Sequence, residues 1–134
     1  AIGLANPGLG GRAYISPTLW AAVQYLGPGE NAPEHRHAQN AFRFVIEGEG
    51  VWTVVDGDPV RMSRGDLLLT PGWKFHGHQN IATEPMVWLD GLDIPFGQQM
   101  DIGFLNLAQR WCLTFPLRIY RAQSAFGDIP ASVP

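Results

Sequence analysis

Three features of the sequence predict an all-β fold. Sixteen glycines and eleven prolines break the 134 residues into short segments, a pattern that favours strands over long helices. Turn signals recur about every 8 to 12 residues, the rhythm of a β-sandwich or barrel. The segments between them are rich in β-branched and aromatic residues, and no stretch before residue 96 carries a convincing helical period.

Taken in order, the opening AIGLANPGLGG is loop-like. Thr18 to Gly27, TLWAAVQYLG, alternates as a strand does, with Trp20, Ala22 and Gln24 on one face. Ala41 to Ile46 and Val51 to Val55 follow as strands, and Asp56-Gly57 just after them is a hairpin turn signal. DLLLTP, KFHGHQN and PMVWLDGL supply further short strands. From about Asn106 the apolar residues follow neither period, so a barrel over 1–105 and an irregular, divergent tail over 106–134 are expected. The chain begins at Ala1 and not at methionine, which points to a processed start or to a piece of a longer protein.

Composition excludes several functions. A net charge of −3 with no basic cluster gives a nucleic-acid partner no electrostatic support. The apolar runs are too short to cross a bilayer, and no signal-peptide pattern opens the chain. The single cysteine, Cys112, rules out an internal disulfide framework and suits a reducing cytoplasm; its plainest role is as a buried filler.

The residues that carry chemistry lie in PEHRHAQNAFRFVIEGEG and GDLLLTPGWKFHGHQN. In extended chain, residues two apart share a face, so His35 and His37 present their imidazoles together. Alone, that pair is equally read as two surface histidines, but the later segment adds His76 and His78, and these are all the histidines in the chain.

The spacing resembles the two motifs of the cupin superfamily, whose fold is a double-stranded β-helix or jelly-roll barrel. Gly29, His35, His37 and Gly50 match the first motif, and Gly65, Pro71, His76 and Asn80 match the second, with Trp73 in place of the inner glycine. The usual glutamate of the first motif is missing, and counting back from Gly50 its place is taken by Arg43. A site of three neutral imidazoles binds zinc, iron, nickel or copper, so the ligands alone do not choose the metal. A guanidinium facing a cation is repelled unless an anion lies between them, and a carboxylate does this well because it accepts two parallel hydrogen bonds. The alternative is that Arg43 points outward and pairs with Glu47 or Glu49.

From HRHAQNAFRFVIEGEG to KFHGHQN the chain is also similar to the gentisate 1,2-dioxygenases and their kin acting on salicylate or 1-hydroxy-2-naphthoate. That resemblance implies Fe(II) held by His35, His37 and His76, and dioxygen-dependent opening of a small aromatic carboxylate, gentisate to maleylpyruvate by default. It implies that Arg43 steadies the carboxylate, with Trp20 and Gln24 as pocket wall and His78 bonded to the ring hydroxyl or to oxygen. It further implies that Asp90 orients a ligand imidazole. Each has a plainer reading: Trp20 and Trp73 as core aromatics, Gln24 bonded to a neighbouring strand, His78 facing solvent, Asp90 and Asp93 as turn residues. Ala22 is the kind of small residue that would set substrate choice. The family's chains carry a helical leader and two cupins, whereas only the first cupin is matched here. A truncated or rearranged relative is therefore expected, and the sheet face exposed where the second cupin would sit predicts self-association into a homo-oligomer. A metal-binding cupin without turnover, and a zinc or manganese isomerase or lyase, are the competing classes.

Overall fold

Ten strands, one short α-helix and one 3-10 turn make up the computed structural model, which describes residues 1–103 and 105–107. The strands are β1 (Ile2–Gly3), β2 (Trp20–Leu26), β3 (Asn31–His37), β4 (Ala41–Glu47), β5 (Glu49–Val55), β6 (Asp58–Ser63), β7 (Leu67–Thr70), β8 (His76–Asn80), β9 (Met86–Leu92) and β10 (Leu105–Leu107). Helix α1 (Ile94–Gln99) follows β9. Two five-stranded sheets result, in the orders β1-β2-β9-β4-β7 and β10-β3-β8-β5-β6. Every neighbouring pair is antiparallel. Between β3 and β9 the chain crosses repeatedly from one sheet to the other, which is the jelly-roll winding predicted above. A tight hairpin, β5 to β6, turns at Asp56 (φ 47°) and Gly57 (φ 91°), the doubly positive φ that an Asp-Gly turn favours.

Alternation along each strand sorts the interior into layers. The inward series runs Met86, Trp88, Asp90 on β9; Val45, Arg43, Ala41 on β4; Leu26, Gln24, Ala22 on β2; and Asn80, His78, His76 on β8. Cross-strand register aligns them, with Leu26 opposite Met86, Gln24 opposite Trp88 and Ala22 opposite Asp90. Arg43 likewise stands opposite Asp90, and Thr53 opposite His78. One end of the barrel is thus a dry apolar cluster of Leu26, Val45, Val51, Met62, Met86 and Trp88. The other end is polar. Burial of the apolar end, at about 25 cal/mol per Å² removed from water, holds the sheets together and leaves the polar end free to be shaped for function.

The outer face of the first sheet is apolar as well. Phe44, Ile46, Leu67, Leu69 and Tyr25 are between 42% and 73% exposed, although they belong to regular strands. Trp73 departs from expectation: it is 49% exposed and not in the core, and it takes a left-handed φ of 68°. That conformation explains why the matching motif has glycine at this position, since only glycine adopts it without steric cost. Its ring lies against Arg36, whose guanidinium carbon is 5.4 Å from the Trp73 ring centroid and 4.6 Å from that of Phe75. The expected irregular tail lies outside the described residues, apart from Asn106 and Leu107, which pair with β3.

Candidate metal centre and substrate cavity

Pairing of β3 with β8 puts His35 directly opposite His76, and His37 joins them from the last position of β3. Ring centroids are 4.4 Å apart for His35 and His76, 4.8 Å for His37 and His76, and 5.5 Å for His35 and His37. One nitrogen from each ring lies within 4.8 Å of the others. The opposite nitrogens are tied down locally: Nδ1 of His35, His37 and His76 each stands 2.9 Å from a backbone carbonyl, of Pro33, Gln39 and Lys74 respectively. A carbonyl only accepts, so each Nδ1 must donate, and each neutral ring keeps its Nε2 lone pair. Nε2 of His76 is buried and has no partner among the described residues. Three lone pairs gathered at one spot, with tautomers fixed from behind, fit a first-row divalent cation.

A neighbouring turn locks this arrangement. The Trp73 N–H donates to the His37 carbonyl at 2.7 Å, and the Gly72 N–H donates to Asn40 Oδ1 at 3.0 Å. A Cβ at Gly72 would overlap the Ala38 carbonyl oxygen, so only glycine lets the turn close over the segment that follows His37.

Burial lowers the pKa of His37, and lowers that of His76 to about 4. Both rings are therefore neutral at pH 7, as ligands must be. A consequence for stability follows in the metal-free chain. Between pH 6.5 and about 4 the unfolded chain binds a proton at His76 that the folded chain refuses, so folding stability falls as pH falls through that window. Urea midpoints of metal-free protein should decline from pH 6.5 to 4, and a flat profile over that range would contradict the burial of His76.

Arg43 points inward, at 3% exposure, which removes the alternative pairing: Glu47 pairs instead with Arg64 at 3.8 Å and Glu49 with Arg61 at 3.5 Å. Its Nη1 donates to Thr70 Oγ1 at 2.6 Å. Its Nε is 3.2 Å from Asp90 Oδ1, an ion pair by distance, yet neither atom makes a well-aligned hydrogen bond. Burial pushes both groups toward neutrality, lowering Arg43 and raising Asp90, and their mutual attraction opposes it. Trp88 and Gln24 also face the Asp90 carboxylate and draw its pKa down, although Trp88 Nε1 closes no hydrogen bond of good geometry. Asp90 is thus the partner of Arg43. The expected bond from a ligand imidazole to Asp90 does not form, because backbone carbonyls already take those N–H groups.

These groups enclose a cavity of about 290 Å³. Trp20 and Gln24 line it from β2, both half-buried, and the three clustered histidines, Arg43, His78 and Asp90 complete its polar wall. Ala22 is fully buried beside Asp90 but does not line the cavity. His78 is 6% exposed, not solvent-facing; its ring lies 5.1 Å from that of Trp88, and burial, then Arg43, hold its pKa well below the usual value. Five buried side-chain nitrogens and oxygens make no well-aligned hydrogen bond among the described residues, and four of them, on Arg43, His76, Trp88 and Asp90, belong to this cavity, Arg43 Nε and Asp90 Oδ1 facing each other as an ion pair. Unsatisfied polar atoms are costly in a folded interior, and their concentration here marks a place shaped for a polar ligand. A wider cleft of about 510 Å³ at the apolar end is bordered by Glu47, Glu49 and Glu84 and gathers no comparable set.

Three contributors were not picked out from the sequence. Trp88 could have been, because it stands two residues before Asp90 on the same strand face. Thr70 and Thr53 could not, because their inward neighbours come from other strands and depend on the pairing register.

Comparisons with known proteins agree with this geometry. The family profile described as a cupin domain matches residues 22–92. The chain is 67% identical over 106 residues to a gentisate 1,2-dioxygenase of a Streptomyces species, a match covering 79% of this chain and 30% of that one. Among solved structures, the salicylate 1,2-dioxygenase of Pseudaminobacter salicylatoxidans superposes with a TM-score of 0.78 at 77% identity, covering 81% of this chain and 31% of the other. A structure of salicylate 1,2-dioxygenase with gentisate adducts, from the same source, gives 0.77 at 77% identity, covering 81% and 30%. The chain spans about 30% of the length of these relatives.

Proposed function

Since the chain belongs to the cupin family, we propose that it forms the metal-bearing barrel of a ring-cleaving dioxygenase acting on a hydroxylated aromatic carboxylate, with gentisate as the default substrate and maleylpyruvate as its product. The observation that carries this reading is a buried arginine in one cavity with a cluster of three histidines that could hold a metal and that includes no carboxylate. Its relatives, named for gentisate and salicylate, point to the same class of substrate.

Fe(II) held by His35, His37 and His76 would supply a centre that chelates the substrate's carboxylate and adjacent hydroxyl and activates dioxygen. The chain's own residues then do the positioning. Arg43 has used one donor on Thr70 and leans on Asp90, which aims the rest of its fork at the cavity and balances the anionic substrate. Trp20 and Gln24 close the wall from β2, and His78 offers a ring nitrogen to a substrate hydroxyl or to oxygen. Burial of these groups excludes water and strengthens each charge interaction.

Ring cleavage under air, by the 134-residue chain reconstituted anaerobically with ferrous iron, tests the proposal. Gentisate is the substrate, product absorbance the readout and His37→Ala the control. Product that disappears in the control supports it, whereas no product from iron-loaded protein would leave a metal-binding module without turnover.

Self-association through the apolar sheet face and a cytoplasmic location complete the proposal. No helix among the described residues is long and apolar enough to cross a membrane. The exposed row of Phe44, Leu67 and Leu69 is apolar enough to seat another surface. Sedimentation should give an oligomer that Leu69→Lys with Phe44→Lys dissociates; a monomeric wild type at micromolar concentration would sink the idea.

A further inference from the structure

Strand β3 does not pair in even register from end to end. Asn31 stands opposite Gln79 and Ala32 opposite His78, but the next pair is His35 with His76. Two residues of β3, Pro33 and Glu34, therefore face the single residue Gly77, which makes a β-bulge. Its effect is one of phase. Side chains alternate along a regular strand, and Ala32 lines the cavity. A ladder continued evenly from Ala32 would turn Glu34 and Arg36 inward and both histidines out. The extra residue reverses that order: Ala32, His35 and His37 all line the cavity, whereas Pro33 and Glu34 are exposed.

Gly77 is what lets the bulge form. Its neighbours His76 and His78 both line the cavity, so position 77 faces outward, yet the residue is buried. A Cβ there would lie 3.1 Å from the Ala32 carbonyl oxygen, 3.1 Å from Glu34 Cα and 3.2 Å from Glu34 N. These are all main-chain atoms, and they give way only if the bulge itself moves. The φ of Gly77 is not positive, so space and not backbone conformation calls for glycine. Proline suits the other side of the contact, because a bulge tolerates a residue with no N–H for the ladder.

We propose that Pro33 and Gly77 are positioning residues for the metal centre: the bulge they form turns His35 and His37 onto the cavity wall and sets where they meet His76. The inference rests on the three-histidine centre and not on any substrate. Co(II) titration of the 134-residue chain tests it, since the visible absorption of cobalt reports both binding and ligand geometry. Gly77→Ala should lower Co(II) affinity about tenfold, the lower end of the loss when a group that orients a ligand is removed, and should change the visible spectrum. Deleting Pro33 takes out the extra residue, so a regular ladder then puts His35 inward and leaves room at position 77. That deletion forfeits the Pro33 carbonyl beside His35 Nδ1 and weakens binding by itself, but Gly77→Ala should cost nothing further in its background. Wild-type affinity and spectrum in Gly77→Ala overturn the proposal, and so does an equal loss from Gly77→Ala with and without Pro33. Cross-strand NMR contacts of Ala32 with His78 and of His35 with His76 read the bulge in the metal-free wild type, and their absence overturns the proposal at its root. A wild type that keeps those contacts and binds no Co(II) overturns the metal centre instead, so the two failures are distinguishable.

Discussion

Arg43→Met should destabilise the protein by about 3–5 kcal/mol, because it breaks a buried ion pair from one side only. The Arg43 side chain is 3% exposed and that of Asp90 8%, and no other cation lies within ion-pair distance of Asp90 among the described residues. Removing the guanidinium leaves a carboxylate in a low-dielectric interior, where burial already raises its pKa. Asp90 would respond by taking up a proton, so the variant's stability should improve on mild acidification. The sign follows from linkage: a raised folded-state pKa means the folded chain holds more protons than the unfolded chain as pH falls toward that value. The double variant Arg43→Met with Asp90→Leu removes both charges and should recover much of the loss. Chemical denaturation of the two single variants and the double one measures this coupling. Strict additivity would mean that the 3.2 Å approach stabilises nothing.

For activity, Arg43→Lys is the sharper probe. Lysine keeps the charge but not the planar fork, so it loses the parallel hydrogen bonds to a carboxylate while still opposing Asp90. On the proposed reading, kcat/KM for gentisate should fall by about 10- to 100-fold for each charged hydrogen bond lost, mostly through KM. A variant with wild-type kinetics would remove Arg43 from substrate binding.

Much of this site could be read from residue spacing. His-x-His on a strand put two imidazoles on one face, the second segment supplied the third that the structure gathers beside them, and counting back from Gly50 placed Arg43 at the missing glutamate. These are local facts, set by the two-residue period of extended chain and by glycine-marked turns. What could not be read is set by pairing between distant strands. Thr70 reaches Arg43 only because β7 lies beside β4, and Asp90 meets it only because β9 pairs with β4. Asp90 is therefore an arginine partner and not an imidazole partner, a distinction invisible without the register. Trp73 misled for another reason: aromatic character suggests burial, but its backbone conformation is dictated by the turn that clamps the segment after His37, and the ring is left outside.

The largest effect on metal binding should come from His76→Ala. Its ring is 1% exposed, its Nδ1 is fixed on the Lys74 carbonyl, and its Nε2 has no partner among the described residues to compete with a cation. Loss of groups that merely orient a ligand costs about 10- to 100-fold in metal affinity, and loss of a ligand itself should cost at least the upper end of that range. Metal content after equilibration with ferrous iron and dialysis, alongside titration with a competing chelator, measures it. A second readout separates the ligand from its scaffold. In the metal-free wild type, the depressed pKa of His76 withdraws at most about 3 kcal/mol of stability between pH 6.5 and about 4. Alanine cannot titrate, so metal-free His76→Ala should be less acid-sensitive than wild type over that window even though it has lost its metal. His35→Ala, at a half-buried ring, should also lose metal. If His76→Ala binds iron as tightly as wild type, the three-histidine centre is not where the metal sits. If it loses iron but keeps the full acid sensitivity, the ring is a ligand whose proton affinity burial does not control.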